Sequence, residues 1–301
     1  MTTSSAIYIQ EHFQLGKLSA LLSLRNEWFE DITNYGSQKE LSFTNTVLLP
    51  RLGLTYALIS EINVYATYLE GMQPQSNTVT LMPNTGAFFW TSESASRFKP
   101  LESDLKELGV KANLLGGQIE INSAVYEINQ KNILMNANQP AFPDSLVQRG
   151  ADRSRGLEMD LTGFIQSNWQ VSMSYSYIDA VIVSDAKPEL AGTRKENTPK
   201  HSGNFWTRYN FEELTKLAGL GLGLGLQAQG SQIPWFTRDF EVPAFAVLDA
   251  AVYYAPIGSS MQLSLNVNNM TDRTYWLGAQ NYTRLFPGAP RNFILTATYK
   301  F

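Results

Sequence analysis

The sequence contains no cysteine and only two histidines, His12 and His201. The absence of cysteine excludes a disulfide framework, a thiolate metal site and a cysteine nucleophile. Two histidines that lie far apart in the chain give no basis for a histidine-rich zinc or iron centre. We therefore expect no resident metal ion or cofactor.

Charged residues are also scarce. They make up 17% of the 301 residues, whereas soluble globular chains contain about 25%. The formal net charge of −4 gives none of the basic character that binding to nucleic acid requires. We expect no nucleic-acid partner.

Long apolar runs are missing as well. A transmembrane helix needs about 18 or more consecutive apolar residues, and no such run occurs. The first ten residues, MTTSSAIYIQ, have neither the basic region nor the apolar core of a secretory signal peptide. If the protein enters a membrane, strands are the element that remains.

Apolar and polar residues alternate along nearly the whole chain. In the segment 157–165, for example, leucine and methionine alternate with Glu158 and Asp160. A period of two with one apolar face predicts half-buried β-strands. Only two short stretches, 103–108 and 212–218, hint at helix. The sequence predicts an all-β, antiparallel protein.

The predicted strands are joined alternately by short turns and long loops. This alternation is typical of outer-membrane β-barrels, which have short periplasmic turns and long extracellular loops. Sheets cross lipid only as closed barrels, because unpaired backbone groups are costly in hydrocarbon. The predicted strands are 6–14, 18–30, 42–58, 62–71, 102–114, 118–128, 152–166, 169–183, 200–211, 219–231, 245–255, 261–276 and 292–301.

The last segment, FILTATYKF, has an apolar face and ends on an aromatic residue. This ending resembles the strand that outer-membrane barrels present to their assembly machinery. We therefore expect the barrel-assembly machinery to be a partner. The residues predicted to form this face are Phe293, Leu295, Ala297, Tyr299 and Phe301.

Three longer stretches carry recognisable motifs: RSRGLEMDLTG at 153–163, ENTPKHSGNFWTRYNF at 196–211 and LNVNNMTDRTYW at 265–276. PRLGLTY at 50–56 precedes them, and PGAPRNFILTATYKF at 287–301 follows them. In this order and spacing, the stretches resemble the C-terminal half of the barrel of TonB-dependent siderophore receptors. The resemblance extends over nearly the whole chain.

The resemblance implies import of ferric siderophores across the outer membrane of a Gram-negative bacterium, with iron present only as the chelated ligand. The family has a signal peptide, a TonB box, an N-terminal plug domain and a barrel of about 22 strands. The TonB complex would act through the plug, which we do not recognise in this sequence. We therefore expect residues 1–301 to be the C-terminal portion of an incomplete barrel, with about 13 strands.

Three charged residues are predicted to face the lumen or the plug. Glu158 and Asp160 lie on the polar face of their strand, as does Arg208 on a later strand. Paired carboxylates can act as acid and base, but nothing in the sequence tunes one against the other. His201 and Ser202 are adjacent in a predicted strand, so their side chains point to opposite faces. We expect no enzymatic activity.

Ligand capture is expected in the long loops, where aromatic rings and arginines could meet an anionic ferric chelate. The alternative is that these side chains anchor the loops to one another or to the outer leaflet. The candidates are Phe88, Phe89, Trp90, Arg194, Trp235, Phe236, Arg238, Tyr282, Arg284 and Phe286.

Two other classes of protein stay open at this point. One is a passive outer-membrane pore or degenerate barrel without active transport, which ion conductance without a plug would favour. The other is a soluble β-rich binding or hydrolase-like protein, against which the apolar outer stripes argue. In the barrel interpretation, outer-membrane lipid is a further partner.

Overall fold

The computed structural model describes residues 2–33, 41–75, 99–136, 146–185, 187–212, 215–234, 237–281 and 284–301. Within these ranges the chain forms fifteen β-strands and one short 3-10 helix, Pro188–Leu190. No helix in these ranges is long and apolar enough to cross a membrane. The all-β prediction is confirmed.

The strands are numbered in chain order. They are β1 (Thr2–Leu15), β2 (Leu18–Thr33), β3 (Leu41–Ile59), β4 (Ile62–Gln73), β5 (Leu101–Leu114), β6 (Ile119–Asn136), β7 (Leu146–Gln166), β8 (Trp169–Ser184), β9 (His201–Asn210), β10 (Leu220–Gln229), β11 (Phe245–Tyr254), β12 (Met261–Asn268), β13 (Trp276–Asn281), β14 (Arg284–Pro287) and β15 (Asn292–Tyr299).

Thirteen strands form one antiparallel sheet in which each strand pairs with the next along the chain, from β1 to β12 and then β15. The strands β13 and β14 form a separate hairpin within the last long connection. In the described part of the chain β1 and β15 do not pair with each other, so the sheet is open. The architecture is that of an incomplete barrel wall.

All short turns lie at one end of this sheet and all long connections at the other. The turn between β1 and β2 is two residues long and uses Gly16 at φ 58°. The turn between β5 and β6 has three consecutive residues with positive φ, Leu115 to Gly117. We call the two sides of the sheet the turn end and the loop end.

The two faces of the sheet differ in chemistry. On β10, Leu222 and Leu224 are 46% and 48% exposed on one face, whereas Gly221, Gly223 and Gly225 are buried on the other. We call the face that carries these leucines the outer face and the opposite face the inner face. The alternation expected of a membrane barrel is therefore present.

Aromatic rings on the inner face lie across glycines of the neighbouring strand. A Cβ atom on Gly225 would be 2.7 Å from the Trp206 ring, and one on Gly156 would be 2.5 Å from the Tyr126 ring. These glycines have no side chain because the ring occupies that space. Each pair fixes the register of two strands by shape.

Several bounds of the predicted strands differ from the structure, and the hint of helix at 103–108 was wrong. Strand β6 continues to Asn136 and β7 begins at Leu146, beyond the predicted strands 118–128 and 152–166. The predicted strand 261–276 ends at Asn268, because Asn269 adopts a φ of 49°. The side-chain amide of Asn269 donates through Nδ2 to the backbone carbonyls of Arg273 and Ala289 at 2.8 and 3.1 Å, which closes the turn. The stretch 103–108, which hinted at helix, lies inside β5.

We predict that Gly156→Ala destabilises the sheet. The new Cβ would lie 2.5 Å from the Tyr126 ring and 2.6 Å from the backbone oxygen of Tyr177. Overpacking of this kind costs about 1–3 kcal/mol. The measurement is the folded fraction in increasing urea, detected by the gel mobility of unheated samples.

Gly53→Ala is the matched control, because its Cβ would meet only Leu21 Cβ at 3.6 Å. The control should unfold at the urea concentration of the unmodified protein or slightly above it. Equal midpoints for the two variants would contradict the role that we give to the Gly156–Tyr126 pair.

Candidate functional site

An open cleft of about 660 Å³ lies on the inner face between β7 and β11. Its floor is made of residues from five adjacent strands, and the side chains of Glu158, Asp160 and Asp249 project into it from the inner face. The lining residues are Glu158, Asp160, Ser174, Tyr175, Ser176, Ser202, Gly203, Asn204, Phe205, Trp206, Gly225, Leu226, Gln227, Ala228, Gln229 and Asp249. We call this space the inner-face cleft.

Small polar side chains join the strands beneath the cleft. The hydroxyls of Ser176 and Ser202 lie 2.7 Å apart. The Asn204 amide donates to the Ser174 hydroxyl at 2.7 Å. These bonds satisfy the polar groups of β8 and β9 against each other. The short side chains leave room above them, and the carboxylates of β7 border that room.

The inner-face cleft is acidic. Its lining includes the three carboxylates Glu158, Asp160 and Asp249, and no lysine or arginine belongs to the lining described above. Glu158 also interacts with the Tyr126 hydroxyl, and Asp249 accepts a hydrogen bond from the Asn269 backbone N–H at 2.7 Å. The cleft is therefore suited to a surface that brings positive charge or hydrogen-bond donors.

The structure places the three predicted lumenal residues on the inner face. Glu158 and Asp160 lie in the cleft. Arg208 lies nearer the turn end, where its guanidinium is 3.8 Å from the centre of the Tyr253 ring and its Nε donates to Asn210 Oδ1 at 3.0 Å. Contact of these residues with a plug stays a prediction.

His201 and Ser202, the adjacent residues that could suggest a base and a nucleophile, do not come together in the structure. His201 bonds with the Tyr175 hydroxyl at 2.8 Å on the outer face, while Ser202 bonds with Ser176 on the inner face. The two side chains therefore point apart, as the alternation predicted. A search of the described ranges finds no cluster of three or more His, Cys, Asp or Glu side chains that could hold a metal ion.

Two predicted ligand residues at the loop end, Arg194 and Arg238, tie two loops together. Arg238 donates to the backbone oxygen of Arg194 at 2.9 Å and to Glu196 at 3.0 Å. Arg194 donates to the backbone oxygen of Ser231 and pairs with Glu241 at 3.8 Å. These contacts join the β8–β9 and β10–β11 loops, which is the loop-anchoring alternative. We call them the loop clamp.

The β8–β9 loop is also anchored to the strands. Lys195 pairs at 3.0 Å with Asp152, which is only 2% exposed. The backbone of Ile182 bonds with Thr193 and Gly192, and the Ile182 side chain is fully buried. Sequence reasoning missed Asp152, although the run Arg-Lys-Glu at 194–196 signalled a charged cluster in this loop.

The other loop candidates are only partly described. Arg284 and Phe286 lie on β14, and the Phe286 side chain is 48% exposed. Six predicted residues lie outside the described residues: Phe88, Phe89, Trp90, Trp235, Phe236 and Tyr282. A role in ligand capture stays a prediction for the whole set.

The last strand is an edge of the sheet, paired only with β12. Phe293 lies opposite Val267, Leu295 opposite Leu265 and Ala297 opposite Leu263 on the outer face. Tyr299 ends the strand, and Phe301 follows it with its ring 5.2 Å from that of Tyr299. Recognition of this strand by assembly machinery stays a prediction.

The sheet order, the two faces and the position of the loops agree with a match to a known family model. Residues 1–270 match the model described as TonB dependent receptor-like, beta-barrel. The chain belongs to this family. Proteins of the family lie in the outer membrane of Gram-negative bacteria and are transport receptors rather than enzymes. The outer face of the sheet, with its exposed leucines, corresponds to the lipid-facing surface of such a barrel.

Curated relatives are longer than this chain. The metal-pseudopaline receptor CntO of Pseudomonas aeruginosa PAO1 is 28% identical over 98% of this chain and 40% of its own length. The ferrichrome outer membrane transporter/phage receptor of Escherichia coli K12 is 27% identical over 99% of this chain and 38% of its own length. The chain thus spans about two fifths of these TonB-dependent receptors.

Solved structures show the same fold. The siderophore receptor PiuA from Acinetobacter baumannii superimposes with a TM-score of 0.80 and 20% identity over 100% of this chain and 43% of PiuA. The unliganded ferric citrate transporter FecA superimposes with a TM-score of 0.79 and 21% identity. At this identity the likeness supports the barrel architecture alone.

We predict that Arg238→Gln loosens the loop clamp. The change removes a charged hydrogen bond to Glu196, and such bonds contribute about 1.5–3 kcal/mol. The Asn197 backbone N–H, which donates to Ile233 at 2.8 Å across the two loops, should then exchange with solvent faster by about tenfold or more. Hydrogen–deuterium exchange detected by mass spectrometry measures this.

Lys187→Gln is the control, because Lys187 is an exposed lysine of the same loop and lies outside the clamp. Exchange at Asn197 should be unchanged in this variant. Equal exchange in both variants would show that the arginine does not hold the two loops together.

Proposed function

We propose that this chain is the barrel wall of a TonB-dependent receptor that imports ferric siderophores. The observation that carries the proposal is the agreement among the relatives' names. Besides the ferrichrome transporter, they include ferric-pyoverdine, ferrioxamine B and catecholate siderophore receptors. These names describe several chemical classes of siderophore, so the proposal covers ferric chelates and no single compound.

The geometry supports different roles for the loop end and for the middle of the inner face. At the loop end, the clamp holds two loops in one arrangement above the inner face, and preorganised loops bind ligand at lower entropic cost. In the middle, the acidic inner-face cleft offers three carboxylates to a plug surface that carries basic groups. The TonB complex would act on the plug rather than on the wall.

A second cargo class has its own support. The relatives named metal-pseudopaline receptors align over 92% and 98% of the chain at 28% identity. In this alternative, the cargo is a complex of a metal with a metallophore that need not carry iron. Both cargo classes are metal chelates, so one uptake assay can test both. Each class then needs its own radioactive metal and its own chelator as the probe.

Uptake in cells tests the proposal. The gene is deleted in its host, and uptake of radioactive iron is measured separately with hydroxamate, catecholate and mixed-ligand siderophores. A parallel arm uses radioactive zinc and nickel with an opine-type metallophore. We expect the deletion to abolish uptake of one ferric chelate and the restored gene to recover this uptake. A protonophore, which removes the energy source, should prevent the recovery.

The controls separate the alternatives. Loss of zinc or nickel uptake alone would favour the metallophore cargo. Unchanged uptake of every chelate, together with ion conductance by the purified protein in a planar bilayer, would instead favour a passive pore.

We predict that Glu158→Gln combined with Asp160→Asn slows uptake without preventing binding at the cell surface. Both changes keep the size of the side chain and remove the charge that a basic plug surface would meet. Hydrogen bonds to charged groups contribute about 1.5–3 kcal/mol each. Initial uptake should fall by about tenfold, whereas ferric chelate bound to de-energised cells should be unchanged.

Glu61→Gln combined with Glu212→Gln is the control, since both residues lie in short connections at the turn end. Uptake by this variant should equal that of the unmodified protein. If both double variants transport equally well, the cleft carboxylates do not contact the moving part of the receptor.

A further inference from the structure

Four charged residues of alternating sign cross the outer face in one row. The strand register places Lys106 of β5 opposite Glu127 of β6, Glu127 opposite Arg155 of β7, and Arg155 opposite Asp179 of β8. Arg155 Nε donates to Glu127 at 2.6 Å, and Lys106 Nζ lies 3.7 Å from the same carboxylate. We call these four residues the outer-face charged row. The row has no net charge, so it gives no general attraction for an anionic or a cationic partner.

The order of the signs makes the row complementary to a second copy of itself. Reversing plus, minus, plus, minus gives minus, plus, minus, plus, so each charge then faces its opposite. A two-fold axis performs this reversal, because it brings residue i of one copy to residue j of the other and j to i. With the axis along the membrane normal and between β6 and β7, Glu127 of each copy meets Arg155 of the other.

Only the two residues beside the axis come into direct contact. Strands of outer-membrane barrels are tilted by about 35–45°, so the rows of two copies cross instead of lying parallel. Glu127 and Arg155 are on the two strands beside the axis, whereas Lys106 and Asp179 are one strand further out on either side. The outer two charges add attraction of the correct sign without a contact.

Arg155 and Glu127 keep hydrogen-bonding capacity for this contact. In the described part of the chain Arg155 donates only from Nε to Glu127, although a guanidinium carries five N–H donors. The side chains of Arg155 and Glu127 are 56% and 25% exposed. Glu127 accepts from Arg155 and Asn129, and a carboxylate has room for further donors. The terminal N–H groups of each arginine can therefore bind the glutamate of the other copy.

We propose that two copies of this chain pair through the outer face about this axis, with Glu127 and Arg155 of each copy forming a ring of four charges at the contact. Apolar contacts alone give no preference for a second copy, because lipid chains are as apolar as leucine, whereas polar groups hold chains together in a membrane. Away from bulk water, opposite charges also attract more strongly. The partner that matches the alternating signs is the chain itself.

The positions next to the row do not oppose this pairing. Toward the loop end Asn129 lies opposite Arg153, so an amide and an arginine flank the axis. The nearby carboxylate of Asp104 accepts a hydrogen bond from Asn129 of its own chain at 3.0 Å. Toward the turn end Val125 lies opposite Leu157, and these apolar side chains flank the contact. The inference goes beyond the proposed function, which needs no second copy.

Two affinity tags on copies made in the same cells test the proposal. Membranes are dissolved in mild detergent, one tag is captured, and the amount of the other tag recovered with it is measured. We expect the unmodified copies to be recovered together. Arg155→Glu in both copies, or Glu127→Arg in both copies, places like charges on each other twice across the axis. Co-recovery should then fall by about tenfold or more.

A mixed pair separates association from folding. One copy carries Arg155→Glu and the other Glu127→Arg, so every charge at the axis again faces its opposite. Co-recovery should return to the level of the unmodified pair. Within each copy the bond between residues 155 and 127 stays broken, so any damage to folding would persist in the mixture. The gel mobility of unheated samples checks that each variant is folded.

Lys216→Glu, which reverses an exposed charge at the turn end, is the control for charge reversal and should be co-recovered normally. The chain has no cysteine, so Asn129→Cys supplies a single thiol near the axis. A short bismaleimide should link two copies of this variant in intact membranes, whereas Ala228→Cys on the outer face of β10 should not be linked.

Three results would overturn the proposal. They are separate recovery of the unmodified copies, equal recovery of every pair, and a mixed pair recovered no better than either variant with itself. Failure of the Asn129→Cys variant to link more than the Ala228→Cys variant would overturn it as well.

Discussion

Backbone pairing in a medium without water is the constraint on which the rest of this structure depends. An unpaired N–H or C=O group costs several kcal/mol in hydrocarbon, so each strand must be fully paired with its neighbours. Strands β2 to β12 meet this requirement by pairing in chain order, whereas β1 and β15 each pair on one side only in the described part of the chain. This strand order fixes the backbone arrangement of the sheet. Only the side chains and the connections at the turn end and the loop end can then vary.

The same constraint separates the functions of the two faces. Because successive side chains alternate across a strand, a single strand serves lipid and lumen at once. Leu157 lies on the outer face, opposite Val125 and Tyr177, and its neighbour Glu158 lies in the inner-face cleft. A substitution at either position therefore acts on one face, while the backbone that both share keeps its pairing.

Much of this fold could be predicted from the sequence because the signals are local. The alternation of apolar residues marked the strands, and the parity of Glu158, Asp160 and Arg208 marked the inner face. The turn at Asn269 could not be predicted in this way. Its φ of 49° is stabilised by bonds to Arg273 and Ala289, and the second of these lies beyond an intervening hairpin.

The parts that escaped prediction all depend on register between strands or on loop packing. Arg155 and Glu127 are far apart in sequence, and they meet only because β6 and β7 pair in one register. A shift of one residue would turn Arg155 toward the lumen. The ring of Tyr126 across Gly156 opposes that shift, because any side chain at this position would collide with it. A contact on the inner face thus holds the ion pair of Arg155 and Glu127 on the outer face in place.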